Sequence, residues 1–247
     1  MANLEGRKGI VTGGSSGIGY AIANCLAQAG ATVYSVSRKG KDKEGLPFSH
    51  PSVIHTVGDV TDMAGMKKLV DNVAKEGGID FLINNAGITI KKRAELLDYE
   101  EFQQVMEVNV HSVFNLSVLC YPYLKQSPYI GRIINISSMA AHLGFSEVVP
   151  YCTSKAAVLG LTRGLSVEWA NDNILINSIA PGWFPSEMSK QIMTPERKEA
   201  ILARMPLHKF GDTKDLGEMA LFLLGDGAGY ITGQDFAVDG GALAYGF

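Results

Sequence analysis

Tyr151 and Lys155 stand four residues apart in the stretch YCTSK. On a helix that spacing puts both side chains on one face. A phenol ordinarily ionises near pH ~10, too high for efficient proton exchange at neutrality. A cation on the same face favours the phenolate and draws that value down. The pair therefore reads as a candidate acid–base centre, although a surface pair has the same spacing and the rest of the chain must decide. Cys152 adjoins Tyr151 but has no neighbouring His to activate it, and reads as a small buried hydrophobe.

A second stretch with chemical capacity is VTGGSSGIG, residues 11–19. Its glycines Gly13, Gly17 and Gly19 follow the pattern G-x-x-x-G-x-G, one residue wider than the usual dinucleotide turn. Glycines there let the chain turn sharply and let its backbone approach a pyrophosphate, which the N–H groups of a following helix would bind. Gly13, Ser15, Ser16, Gly17, Ile18 and Gly19 are the candidate phosphate contacts. No Lys follows the glycines, so the loop is not of the Walker type. A dinucleotide site reads its ribose at the end of the next strand, where a carboxylate selects NAD and an Arg accommodates the 2′-phosphate of NADP. Here that end is Ser37-Arg38-Lys39, which favours NADP(H) over NAD(H). Asp59 and Val60 follow the third predicted strand and could meet the adenine, while Asp62 suits the cap of the next helix. Asn84, Asn85, Ala86 and Gly87 end the fourth and would line the same crevice.

These residues need a scaffold, and the chain supplies one. Short β-branched runs at 9–12, 32–37, 53–57, 81–84, 132–137, 174–179 and 235–238 alternate with helical patterns at 18–28, 63–75, 99–124, 149–170 and 214–224. Alternation of this kind predicts βαβ units and a parallel sheet. Continuous apolar runs such as RIINIS mark strands covered on both faces. The expected fold is α/β, a doubly wound Rossmann sheet of seven parallel strands with helices on both faces. The 247 residues fit one domain, 1–247, with a lid over the substrate at about 182–206.

Composition narrows the function classes. A net charge of −3 with one short basic cluster, Lys91–Arg93, speaks against nucleic acid as partner. No apolar run approaches the ~20 residues of a membrane span, and no secretory signal is visible. The three cysteines, Cys25, Cys120 and Cys152, lack metal-ligand spacing and suit a reducing, cytoplasmic setting. No metal is expected.

Together the motifs resemble the short-chain dehydrogenase/reductase family in its single-domain form. The family's TGxxxGxG is matched by Thr12 to Gly19, its NNAG by Asn84 to Gly87 and its YxxxK by Tyr151 to Lys155. The resemblance implies a catalytic serine at Ser138 and an active-site asparagine at Asn109. It implies a nicotinamide contact at Pro181, Gly182 and Ser186, where Thr is commoner. It also implies strand order 3-2-1-4-5-6-7 and a homotetramer. On that reading Tyr151 exchanges the proton and Ser138 donates a hydrogen bond to the same substrate oxygen. Lys155 tunes the phenol and binds the nicotinamide ribose, and Asn109 orders a water linking Lys155 to solvent. The run 149–188 is similar to the branch acting on sugar acids, of gluconate 5-dehydrogenase and 2-deoxy-gluconate 3-dehydrogenase type. The expected reaction is reversible oxidation of a secondary alcohol on a sugar acid or polyol, a small-molecule substrate. A 3-oxoacyl thioester reductase and a nucleotide-sensing protein without turnover are the alternatives. Met139, Ala140, His142, Leu143, Gly144, Val148, Val149, the run 88–90, Lys91, Lys92, Arg93, Trp183 and Phe184 are expected to line the substrate pocket. His142, Lys92 and Arg93 could pair with a substrate carboxylate.

Overall fold

The computed structural model describes residues 2–47, 49–185 and 194–245. Its seven strands are β1 (Lys8–Thr12), β2 (Thr32–Ser37), β3 (Val53–Val57), β4 (Phe81–Asn84), β5 (Gly131–Ile136), β6 (Ile174–Pro181) and β7 (Asp235–Val238). They form one sheet in the order β3-β2-β1-β4-β5-β6-β7, every neighbouring pair parallel. The helices are α1 (Gly17–Gln28), α2 (Met63–Lys75), α3 (Tyr99–Met106), α4 (Ser112–Leu124), α5 (Val149–Glu168), α6 (Pro195–Arg204) and α7 (Thr213–Leu224). Order and direction match the expectation.

Alternation along the strands explains the two layers of core. Val11, Ile134 and Ile179 pack with Ile22 and Leu26 of α1 and Leu216 and Leu224 of α7. Their neighbours Ile10, Ile133 and Ile176 point the other way, to Met66 and Val70 of α2, Leu116 of α4 and Leu165 of α5. Each such side chain, taken fully from water, stabilises the fold by about 1.5–3 kcal/mol.

Two expectations about the elements are revised, and the 195–204 part of the expected lid takes a definite form. The helix predicted over 99–124 is interrupted by a π turn at Glu107–His111 between α3 and α4. A π turn inserts one residue into the helical ladder, and Asn109 within it is fully buried. Residues 195–204, read as part of a lid, form α6, capped by Thr194, whose hydroxyl accepts from the Arg197 N–H. Phe184, expected at the start of that lid, is buried in the layer that also holds Leu216 and Ala220. An aromatic ring of that size gains more from the core than from an exposed loop.

Candidate active site

The glycine turn lies between β1 and α1, where the sequence put it. Gly13 and Gly17 have φ of +67° and +55°, a region that other residues enter only with strain. Gly19 is needed for a different reason: a Cβ there would stand 2.4 Å from both Asn85 Nδ2 and the Gly13 carbonyl oxygen. Ser16 caps α1 without a side-chain hydrogen bond, so the first N–H groups of the helix keep their capacity for an anion. The Ser15 carbonyl accepts from the Lys43 N–H at 2.9 Å, which ties the 40–52 loop to the turn.

Thr12 knots this turn to the end of β4. Its Oγ1 accepts from the backbone N–H groups of Asn85 and Ala86, each at 3.0 Å. Asn85 Nδ2 donates to the Thr12 carbonyl at 2.9 Å. The sequence reading passed over Thr12 as a functional residue. A hydroxyl at the last position of β1 was the signal that could have found it.

On the other side of the turn, Arg38, Val57, Gly58, Asp59, Asp62 and Gly65 line a cavity of about 410 Å³. Asp59 accepts from Thr61 N–H at 3.0 Å and Thr61 Oγ1 at 2.7 Å. Those bonds, and more weakly the Arg38 guanidinium, hold its carboxyl below the usual range. Asp62 caps α2 by accepting from Gly65 N–H, as expected. Val60 is buried, and Arg38 and Lys39 are exposed. Ser37 is occupied locally, its Oγ accepting from Gly40 N–H at 3.1 Å. A turn with no room for a Cβ, an uncapped helix start and a groove lined by Arg38 together with the carboxylates of Asp59 and Asp62 fit a dinucleotide.

The second half of the site gathers at the carboxyl ends of β4 and β5. A buried polar row underlies it: Asn84 Nδ2 donates to Asn135 Oδ1 at 2.9 Å, and Asn135 Nδ2 donates to Thr162 Oγ1 at 2.9 Å. Ser138 follows β5 and is buried, and the Ala140 N–H donates to its Oγ at 3.1 Å. Tyr151 and Lys155 lie in the first two turns of α5, with the ammonium 5.6 Å from the centre of the phenol ring. Lys155 Nζ donates to the Ile136 carbonyl at 2.8 Å. Gly87 leaves space for both partners, since a Cβ on it would lie 3.3 Å from Asn109 Oδ1 and 3.6 Å from Lys155 Nζ. The structure thus brings Gly87, Asn109, Ser138, Tyr151 and Lys155 together.

The electrostatics correct one expectation. Burial pushes the Tyr151 phenol up, and its hydrogen bond with Ser138 only partly offsets this. Burial pushes the Lys155 ammonium down to about 8. Both groups have lost water, which disfavours their charged forms, and this outweighs the attraction expected to lower the phenol. Asn109 is also more heavily engaged than expected. Its Oδ1 accepts from the Ile88 N–H at 2.8 Å, and its Nδ2 donates to the Ile88 carbonyl at 2.9 Å and Ser154 Oγ at 3.0 Å. The π turn has set it as a clamp on the loop after β4.

The basic residues expected to line the substrate pocket have partners of their own. Lys91 lies 3.2 Å from Glu147, Lys92 2.8 Å from Glu101, and Arg93 2.5 Å from Glu95. His142 lies 2.7 Å from Asp235. Lys92, Arg93 and His142 therefore pair within the chain, which for Lys92 and Arg93 suits exposed loop residues better than a substrate carboxylate. Met139 and Ala140 are buried beside Ser138. Trp183 stands edge-on to Phe145 with ring centres 6.2 Å apart. Gly182 sits beyond β6, its N–H donating to the Val238 carbonyl at 2.9 Å, and Pro181 is buried as the last residue of that strand. Ser186 lies outside the described residues.

A family model described as enoyl-(acyl carrier protein) reductase matches residues 13–242. A 3-oxoacyl-(acyl-carrier-protein) reductase of Thermotoga maritima is 37% identical over 97% of this chain and 99% of its own length. A 2-dehydro-3-deoxy-D-gluconate 5-dehydrogenase of Dickeya dadantii is 36% identical over 98% of this chain and 97% of its own. The chain belongs to the short-chain dehydrogenase/reductase family. As a short-chain dehydrogenase/reductase it is an oxidoreductase of the class acting on CH–OH and keto groups. Among solved structures, a gluconate 5-dehydrogenase from Burkholderia cenocepacia in complex with NADP and tartrate superposes with a TM-score of 0.90. It is 30% identical, and the match covers 98% of this chain and 97% of that one. Pseudomonas aeruginosa RhlG, in an active-site complex with NADP, gives 0.86 at 32% identity, covering 98% of each chain. A nicotinamide dinucleotide is the cofactor these likenesses support. Among the described residues no helix is long and apolar enough to cross a membrane.

Proposed function

We propose that this short-chain dehydrogenase/reductase interconverts a secondary alcohol and a ketone on a sugar acid or polyol, using NADP(H) in preference to NAD(H). The observation that carries the chemistry is the convergence of Ser138, Tyr151 and Lys155 at the carboxyl end of β5, beside the glycine turn. When bound, the cofactor would supply or accept the hydride. Gly13, Ser15, Ser16, Gly17, Ile18 and Gly19 would hold its pyrophosphate, and Ser37, Arg38 and Lys39 its ribose phosphate. Asp59 and Val60 would hold the adenine, and Asn85, Ala86, Gly87, Lys155, Pro181, Gly182 and Ser186 the nicotinamide half.

The protein's own residues then divide the work. Tyr151, protonated at neutral pH as any phenol is and made a weaker acid by its burial, gives its proton to the carbonyl oxygen during reduction. Ser138, whose Oγ already accepts from Ala140 N–H, turns its own hydrogen toward Tyr151 and would donate it to that oxygen once substrate is bound. Lys155, charged below pH ~8, stabilises the negative charge that Tyr151 acquires. Asn109 holds the loop carrying Gly87 and would order a water toward Lys155.

The substrate class rests on the basic run after β4 and on the relatives. Lys91, Lys92 and Arg93 are each matched by a carboxylate. Such pairs offer donors and acceptors to hydroxyl groups without the net positive field that an acidic carrier protein would seek. The sugar-acid relatives favour the same reading. The thioester reading is kept by the 37% identical relative from Thermotoga maritima. For assembly, the exposed apolar residues Phe114 and Val118 on α4 and Val167 on α5 support a homotetramer built on the long helices. We assign the chain to the cytoplasm as one domain, with 182–206 closing over the substrate.

Nicotinamide absorbance during turnover, with NADH and NADPH in parallel, tests the proposal across 5-keto-gluconate, other keto sugar acids, a simple diketone and an acetoacetyl thioester. Consumption of NADPH with a keto sugar acid is the expected result. Consumption with the thioester alone would promote the second reading, and binding of nucleotide without turnover would point to a sensor.

A further inference from the structure

His142 entered the sequence reading as a partner for substrate, and the structure gives it another role. Asp235, the first residue of β7, has a carboxylate only 10% exposed. Both of its oxygens are in use. Oδ1 accepts from Ser137 Oγ at 2.7 Å, whose hydrogen is shared with the Ile179 carbonyl at 2.9 Å, and from Ser178 Oγ at 2.5 Å, and Oδ2 accepts from His142 Nε2 at 2.7 Å. A carboxylate offers no donor, so the imidazole carries its proton on Nε2 here. Ser137 immediately precedes Ser138, and His142 stands four residues after it. The segment between them is a short 3-10 turn, Met139–Ala141. One carboxylate from a remote strand therefore pins that turn at both ends.

The pinning reaches the reacting group through backbone geometry. The Ala141 N–H donates to the Ser138 carbonyl at 2.9 Å, and the His142 N–H to the Met139 carbonyl at 3.0 Å. The Ala140 N–H donates to Ser138 Oγ at 3.1 Å. That last bond uses Oγ as an acceptor and directs its own hydrogen away from the turn. A turn freed at either end would let Oγ drift, and small displacements of a positioning group cost rate steeply.

We propose that Asp235 and His142 are positioning residues for the reaction, a carboxylate–imidazole clamp that orients Ser138. The inference rests on the reading of Ser138 as the hydrogen-bond donor to the substrate oxygen. Asp235→Asn puts an N–H2 donor where Oδ2 accepted from His142 and leaves a neutral oxygen for the two serines, so it releases the His142 end and weakens the Ser137 end. His142→Ala removes one end only, at a residue whose side chain is 36% exposed, and so is expected to fold normally.

The test uses the full chain, NADPH, and whichever ketone of the panel the wild type reduces fastest. Asp235→Asn should lower kcat by about 10- to 100-fold, with KM and nucleotide affinity changed less than about threefold. His142→Ala should lower kcat by a smaller factor, and His142→Gln, which keeps an N–H donor, should recover part of it. On a Ser138→Ala background, Asp235→Asn should have no further effect on kcat, the signature of two residues acting as one unit. Equal losses on both backgrounds, or an unchanged kcat in both Asp235→Asn and His142→Ala, would overturn the clamp while leaving Ser138 in place. If Ser138→Ala alone costs nothing, the reading beneath the clamp fails and the clamp fails with it. Should Asp235→Asn not fold, the His142 pair decides the matter.

Discussion

Replacing Lys155 by Met should stabilise the protein at neutral pH and destabilise it at alkaline pH. The Lys155 ammonium is 5% exposed and is pushed by burial from its ordinary 10.5 to about 8. In the unfolded chain the same group keeps its proton to about 10.5. Across that window the unfolded state binds more protons, so stability rises with pH. Below pH 8 the charged, buried ammonium costs about 3 kcal/mol, at about 1.4 kcal/mol per tenfold change in proton affinity. Methionine avoids that cost but leaves the Ile136 carbonyl without the 2.8 Å bond from Nζ, a loss of about 1–2 kcal/mol. The balance is a gain of about 1–2 kcal/mol at pH 7, equivalent to roughly 2–8 °C in Tm for a chain of this size. Above pH 10 the wild type has recovered its deficit, and the variant should be the less stable by about 1–2 kcal/mol. Urea unfolding followed by the fluorescence of Trp169 and Trp183, at one protein concentration and across pH 7 to 10.5, measures the difference directly. A difference between the two proteins that stays constant across that range would refute the reasoning.

Asn109→Ala should destabilise by about 3 kcal/mol, because two backbone groups of Ile88 lose their partners; a drop in Tm under about 2 °C in differential scanning calorimetry would contradict this. Gly19→Ala places a Cβ 2.4 Å from Asn85 Nδ2 and the Gly13 carbonyl, and should weaken NADPH binding at least tenfold in a fluorescence titration, an effect of about 1.4 kcal/mol. Arg38→Asp should shift preference from NADPH toward NADH in parallel kcat/KM measurements; a wild type that already prefers NADH would show that 37–39 has been misread. Because burial raises the Tyr151 phenol, kcat/KM for alcohol oxidation should climb with pH above neutrality, where a phenolate base begins to form, and a profile flat from pH 7 to 9 would speak against Tyr151 as the base.

The sheet was legible in the sequence because parallel strands covered on both faces are written as apolar runs, and β2, β3, β4 and β7 fall on their predicted residues. The glycine turn and the Tyr151–Lys155 face were legible because each depends on local spacing. What stayed hidden depends on contacts between distant segments. Nothing in EVNVH announces a π turn, within which Asn109 reaches Ile88 across 21 residues. His142 looked available to a substrate, and its carboxylate comes from a strand 93 residues away. Phe184 was read into a lid because Pro-Gly-Trp precedes it, whereas its ring belongs to the core beneath α7. The rise at Tyr151 was missed for a similar reason: a charge can be seen in a sequence, and the loss of water around it cannot.

The measurement that tests the central claim most directly compares Tyr151→Phe with the wild type in NADPH consumption, on the ketone the wild type reduces fastest, alongside nucleotide binding. The side chains differ by one hydroxyl, so the fold and the cofactor groove should be retained. The account predicts unchanged NADPH affinity and turnover lower by at least about 100-fold, the scale of a lost general acid. Turnover equal to that of the wild type would contradict it.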